Sequence, residues 1–195
     1  VDGSWGMTDA DGNSEVWSSD GQSVTYTTSD GTVTVTDPEY SAGTTTNSDG
    51  SVDTWAEDGS STHQDVDGTL YSYNFDGSSN ITHADGSTES YDIDGNHTWN
   101  GTDGSSYTNN VDGSGSSVST DGTSSTWDTE LHVEWTSVDG SYGSYDNDGN
   151  SVWQNVDGSG GETSADGYSS TWDVSGNGEW TSSDGSYGSW SIDGS

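Results

Sequence analysis

Asp-Gly pairs recur through this chain at Asp2, Asp11, Asp20, Asp30, Asp49, Asp58, Asp67, Asp76, Asp85, Asp94, Asp103, Asp112, Asp121, Asp139, Asp148, Asp157, Asp166, Asp184 and Asp193. From Asp49 onward every interval is nine or eighteen residues, and the two vacant beats hold Glu130-Leu131 and Ser175-Gly176. One extra residue enters before Asp30 and another near Pro38 and Glu39. The 195 residues therefore divide into about 22 nine-residue units. A repeat of this strength decides the architecture before any local propensity is consulted. Asp-Gly is a strong hairpin signal, because Gly takes φ > 0 freely and Asp tolerates it, as the two central residues of a type I′ turn require. The residues between turns are rich in Thr, Val, Trp and Tyr, which favour strands. The single proline, Pro38, sits where the beat is broken, as expected of a residue without a ladder donor. Helix is disfavoured by the scarcity of Ala and Leu and by the recurring Gly. The expected fold is all-β: tandem nine-residue strand-turn repeats forming a β-meander or a β-solenoid-like repeat sheet. Residues 1–195 read as a single array. A start at Val1 without Met and an end in phase at Asp193-Gly194-Ser195 suggest a segment of a longer protein or fibre.

With each Asp counted as position one, a two-residue loop pairs position nine with three and six with six. All odd positions then share one face. Position seven is often aromatic (Trp17, Tyr26, Trp55, Trp127, Trp172, Trp190), and position nine is often apolar (Val66, Phe75, Ile93, Val111, Val138, Val156). The odd face is thus expected to be the main buried one. Trp99, Trp135, Trp153 and Trp180 fall at position six, which places Trp135, Trp153 and Trp180 on the face opposite Trp127, Trp172 and Trp190.

Composition narrows the function. There is no Lys, Arg or Cys, Asp plus Glu is 35, and the formal net charge is -35. Nothing cationic is present to neutralise a phosphate, which argues against nucleic-acid binding. No apolar run is long enough to insert in a membrane, and disulfides and thiolate metal sites are excluded. Low hydrophobicity and high charge favour disorder, but ten Trp, ten Tyr and a strict period oppose it.

The 27 residues from Asp121 match the 27 from Asp166 at 17 positions, 45 residues or five units apart, as duplication of a five-strand block would make them. The strings YDIDGN (Tyr91 to Asn96) and YDNDGN (Tyr145 to Asn150), the variants Trp127-Asp128 and Trp172-Asp173, and VTDPE (Val35 to Glu39) resemble the YD-repeat proteins, the Rhs, teneurin and wall-associated group. That resemblance implies spiralling β-hairpin sheets on exported or cell-surface proteins. The nine-residue beat is also similar, more distantly, to RTX calcium β-rolls.

Carboxylates are too common for any pair to stand out as a general acid and base. The four His (His63, His83, His97, His132) share no metal-ligand spacing and read as ordinary surface residues. No enzymatic activity is expected. Stacked turns would bring Asp67, Asp76, Asp85, Asp94, Asp103, Asp112 and Asp121 into rows whose oxygens suit calcium, although turn geometry alone accounts for Asp there. Trp127, Trp135, Trp153, Trp172, Trp180 and Trp190 are candidates for an aromatic ladder that holds the sheet and its assembly, or for stacking on sugar rings. Asn80, Asn96 and Asn100 open N-glycosylation sequons. The leading expectation is a structural, self-assembling protein of the extracellular space or cell surface, partnered by itself as a homopolymer or closed repeat sheet. The alternative is a carbohydrate-binding lectin or adhesin, with polysaccharide as partner, or an ice-binding sheet bearing Thr25 to Thr28 and Thr32 to Thr36.

Overall fold

The computed structural model describes residues 3–193; Asp2 of the first beat and the closing Gly194 and Ser195 lie outside the described residues. The chain falls into two compact units, Val1–Gly95 and Asn96–Ser195. The first carries β1 (Trp5–Thr8), β2 (Ser14–Trp17), β3 (Val24–Thr27), β4 (Val33–Thr36), β5 (Gly43–Thr46), β6 (Val52–Trp55), β7 (Ser61–Gln64), β8 (Leu70–Tyr73), β9 (Ser79–Thr82) and β10 (Thr88–Tyr91). The second carries β11 (His97–Asn100), β12 (Ser106–Asn109), β13 (Gly115–Val118), β14 (Ser124–Trp127), β15 (Val133–Thr136), β16 (Tyr142–Tyr145), β17 (Ser151–Gln154), β18 (Gly160–Thr163), β19 (Ser169–Trp172), β20 (Gly178–Thr181) and β21 (Tyr187–Trp190). Within each unit consecutive strands pair antiparallel, so the fold is a meander rather than a solenoid. Every strand but β3 occupies positions four to seven of its repeat; β3, which follows an extra loop residue, occupies five to eight. No helix occurs among the described residues, and none is therefore long and apolar enough to cross a membrane.

The turns differ from the expected two-residue type. In a representative loop, Gly59 N–H donates to the Ala56 carbonyl and Ala56 N–H donates to the Ser60 carbonyl, both at 2.9 Å. The loop is Glu57-Asp58-Gly59: a type I turn followed by a left-handed Gly that forms a bulge. Gly59 has φ 88°, while no Asp among the described residues has positive φ. The reason lies at position eight, where Asp, Asn, Ser and Thr predominate (Ser18, Thr28, Asn47, Asp65, Asn74, Asp92). These are the residues a type I turn favours at its first position, with Gly at its fourth. Both extra residues are absorbed in loops, at Ser19–Gln22 and Pro38–Ser41, so the ladder continues through them.

One added loop residue changes the register at every hairpin except the two of β3, whose one-residue offset keeps odd positions opposite odd ones. Trp55 pairs with Ser61 and Thr54 with Thr62, so position seven opposes four and six opposes five. Odd positions of one strand share a face with even positions of the next, and the expected uniform odd face does not exist. Trp127, Trp135 and Trp153 lie on one face, linked by the pairs Ser125↔Trp135 and Gly143↔Trp153. Trp172, Trp180 and Trp190 lie on the other, linked by Ser170↔Trp180 and Gly178↔Trp190. This corrects the grouping of the six Trp read from the sequence. Position nine is corrected as well: it falls in the loop, and Val66, Phe75, Ile93, Val111, Val138 and Val156 are 67–79% exposed.

Little of the molecule is interior. Val24 is the one buried hydrophobic side chain among the described residues, and the buried polar ones include Ser51, Thr69, Ser87 and Ser141, all at position three. The sheet is held instead by local devices repeated at each hairpin.

Candidate binding faces and turn edges

Most turns close on their own Asp. Oδ1 of Asp76 accepts the Ser78 N–H at 2.9 Å and the Ser78 hydroxyl at 2.7 Å. Asp67, Asp85, Asp103, Asp112 and Asp121 likewise accept the N–H two residues on, at 2.8–3.0 Å. Asp94 differs, because its own N–H donates to Asp92 at 2.9 Å. Bonds from the Ser hydroxyl and then the Ser N–H hold Asp76, Asp85, Asp103 and Asp112 below the ordinary carboxylate range. For Asp67 and Asp121 the Thr N–H is the larger cause. Successive turns alternate between the two edges of each meander. Among the described residues no three His, Cys, Asp or Glu side chains converge where they could hold a metal ion.

Four turns use a second lock. Where position eight is Asp and position three Asn, the Asp takes over: Asp146 accepts N–H bonds from Asp148 and Asn150 at 3.0 and 2.9 Å, and the Asn150 amide at 2.7 Å. The freed Asn150 oxygen then accepts the Ala165 N–H at 2.9 Å, tying together neighbouring turns of one edge. Asn13 with Ser29, Asn96 with Val111 and Asn177 with Ile192 repeat the clasp. Of the sequon residues, Asn80 and Asn100 are exposed at strand positions, whereas Asn96 is engaged in this clasp. The apolar tips also bridge turns: Phe75, Val138, Val156 and Ile192 lie against Gly59, Gly122, Gly140 and Gly176, sixteen residues earlier on the same edge.

Seven of the ten Trp side chains share one arrangement. Trp55, Trp127, Trp172 and Trp190 each cover a Gly directly across the ladder, Gly43, Gly115, Gly160 and Gly178. A Cβ on any of these Gly would lie 2.1–2.7 Å from the ring. Trp135, Trp153 and Trp180 cover Gly143, Gly161 and Gly188 in the same way. The indole N–H of Trp172 and of Trp190 reaches a turn carbonyl, at Gly158 (3.2 Å) and Gly176 (2.9 Å). Each ring is thus laid over bare backbone, buries one side, and leaves the other to solvent. Sequence reading missed this pairing. Its signal is a Gly off the turn position with a Trp twelve residues later or eight earlier.

His63 has both ring nitrogens engaged, with Asp53 at 2.6 Å and Asp65 at 3.1 Å. The Asp53 contact, then the Asp65 contact, raise its pKa and favour imidazolium. His83 meets Glu89 at 2.9 Å, and His97 packs edge-on against Tyr107.

On the face that bears Trp172, two shallow depressions of about 360 and 400 Å3 share Ser144 and Val152. Together they form a trough crossing β15 to β19. Its floor is the row Glu134, Ser144, Val152, Glu162, Ser170, joined pair by pair through the ladder. Tyr142 and Trp172 stand on one bank, with Tyr142 donating to Gln154 at 2.6 Å, and Tyr168 stands on the other.

No family model matches the chain, and no curated protein matches it. Solved structures do. The chain is similar to the TCP10 domain of Danio rerio CPAP, solved in complex with a peptide of Danio rerio STIL, with TM-score 0.61 and 18% identity over 97% of this chain and 99% of that one. A G-box domain of the microcephaly protein CPAP, ascribed a role in centriole elongation, gives TM-score 0.67 and 22% identity over 78% of this chain and 98% of that one. The Danio rerio TCP10 domain solved without the peptide gives 0.53 and 19%, over 96% and 100%. At these identities the likeness is one of fold: an open antiparallel meander of short hairpins.

Proposed function

We propose that this chain is a non-catalytic structural protein that works through the faces of its sheet, docking extended segments of other proteins. The observation that carries this reading is the Trp-on-Gly arrangement. The meander stabilises itself within one layer, so its aromatic surfaces are free to bind. Fold likeness to a domain solved with a bound peptide supports the same direction. Selection of peptides from a random library against the full chain, with bound peptides located by amide chemical shifts, tests it. Selected peptides are expected to perturb the Trp-bearing faces. Selection of none, or perturbation confined to the turn edges, would sink the reading.

Self-assembly is a second reading, favoured by one feature. All four residues of β1 are exposed, and among the described residues β1 pairs with β2 alone. Such an edge invites end-to-end pairing of copies. Sedimentation velocity at low and high salt separates a monomer from a polymer that grows as salt screens the repulsion between copies. The extracellular or cell-surface setting belongs to the same proposal and rests on the YD-repeat resemblance. Calcium at the turn Asp residues, glycosylation and polysaccharide binding likewise stay proposals beside it.

A further inference from the structure

The trough over β15 to β19 has a chemistry of its own. Glu134 and Glu162 on its floor are exposed carboxylates three strands apart. Aromatic rings stand on both banks: Trp172 and Tyr142 on one, Tyr168 on the other. The chain contains no Lys or Arg to answer those carboxylates. Five strands at about 4.8 Å spacing make the trough about 19 Å long, room for about six extended residues at about 3.3 Å each.

We infer that this trough docks a basic extended peptide, with one Arg paired to Glu134 beside the Tyr142 ring and another paired to Glu162 beside the Trp172 and Tyr168 rings. The inference rests on the docking role proposed above and names the class of partner. Charge complementarity selects it. A second copy of this chain brings 35 more carboxylates and no Lys or Arg, so it cannot cover this face unaided. An anionic ligand is repelled. A neutral glycan could stack on Trp172 but would desolvate two carboxylates without pairing them. A guanidinium gains from both surroundings, through bidentate pairing with a carboxylate and cation–π stacking on a ring.

The geometry adds a spacing rule. Glu134 and Glu162 are three strand spacings apart, about 14 Å, which about four residues of extended chain span. A partner should therefore carry its Arg residues at positions i and i+4.

The test is calorimetric titration of the full chain, near physiological salt, with three capped hexapeptides. Arg-Ser-Ser-Ser-Arg-Ser is the expected ligand, Arg-Arg-Ser-Ser-Ser-Ser has the same charge in the wrong spacing, and hexaserine is neutral. The spaced peptide should bind tightest, and the double variant Glu134→Gln/Glu162→Gln should weaken it about tenfold. A control, Glu57→Gln/Glu179→Gln, removes the same charge from a turn and from the opposite face, and should leave binding unchanged. Equal losses in both variants, or equal binding of both Arg peptides, would mean generic attraction to an acidic surface and overturn the inference. Hexaserine binding as well as the spaced peptide, with no loss in either variant, would leave the docking role standing and remove the basic partner. A neutral hexasaccharide that binds where no peptide does would overturn both. Circular dichroism confirms that these exposed Glu→Gln variants remain folded.

Discussion

At the scale of the residue, the turn makes two demands that can be tested. Its last position needs a left-handed backbone, and among the described residues nineteen Gly meet that demand with φ between 69° and 96°. Leu131 does so at φ 62°, in a beat where Glu-Leu replaces Asp-Gly. An L-residue there costs about 1–2 kcal/mol, and a Gly loses about 0.5–1 kcal/mol more chain entropy on folding. Leu131 is half-exposed, so little packing is lost on its removal. Leu131→Gly should therefore stabilise the chain, by about 1 kcal/mol at most. A rise in the urea midpoint with unchanged slope is expected; a fall would show that the Leu131 side chain contributes more than its backbone costs. The turn also needs a hydrogen-bond acceptor, supplied by ionised Asp. Those carboxylates have folded pKa values lowered from 3.8, as at Asp58 and Asp157, where the Ser hydroxyl and N–H bond the charged form. A lowered folded pKa contributes stability above the unfolded value that is lost as pH falls through the folded one. Repulsion between carboxylates pulls the other way, but same-edge turns lie about 10 Å apart, beyond the screening length of about 8 Å at physiological salt. Protonation of His63, whose folded pKa is raised, adds stability as pH falls from neutral to about 6; from there to about pH 4 the melting temperature should hold steady at physiological salt, and below about 4 it should fall. A rise on that further acidification would show that repulsion dominates.

At the scale of the element, four residues of strand are too few to explain a stable sheet, and the Trp-on-Gly pair supplies what the strand lacks. Gly188 isolates the effect best, because the three atoms nearest a Cβ there all belong to the Trp180 ring, at 2.7–3.0 Å. Gly188→Ala should destabilise by about 1–3 kcal/mol through displacement of the ring. In a Trp180→Ala background the same change should cost nothing or help. A double-mutant cycle reads that coupling directly, and additive costs would refute the pairing. The strands themselves were legible in the sequence, because the nine-residue beat places positions four to seven between turns without ambiguity. Their faces were not. Asp-Gly pointed to a two-residue loop, while the Asp, Asn, Ser or Thr three residues before each Gly marked a type I turn and a three-residue loop. A single residue of loop length exchanges the faces of alternate strands, so Trp180 joins Trp172 and Trp190 rather than opposing them. The same arithmetic explains why both faces are aromatic. The duplicated block is five strands long, an odd number, so Trp127 and its copy Trp172 emerge on opposite sides. The trough was also illegible, because Glu162, Tyr142 and Trp172 meet only once that register is known.

At the scale of the whole molecule, the balance of forces departs from that of an ordinary domain. Within each unit the described strands contact only their neighbours in the chain, and Val24 is the one buried hydrophobic side chain among the described residues. Backbone ladders, Asp-closed turns and one-sided Trp contacts carry the fold, and among the described residues six polar side chains are buried against one hydrophobic. Apolar exposure raises the heat capacity of unfolding and polar exposure lowers it, giving about 12–15 cal/mol/K per residue in ordinary domains. This chain should fall below about 10 cal/mol/K per residue, giving a broad stability curve with little cold destabilisation. Calorimetry of dilute protein at several acidities, with the slope of unfolding enthalpy against melting temperature, measures it. A heat capacity in the ordinary range would mean that unfolding uncovers apolar area a single copy does not bury. The Trp faces would then already be covered by other copies in solution. Melting would in that case shift upward with protein concentration, as an association linked to folding requires, and a concentration-independent melt with a low heat capacity fits a free-standing sheet with open faces.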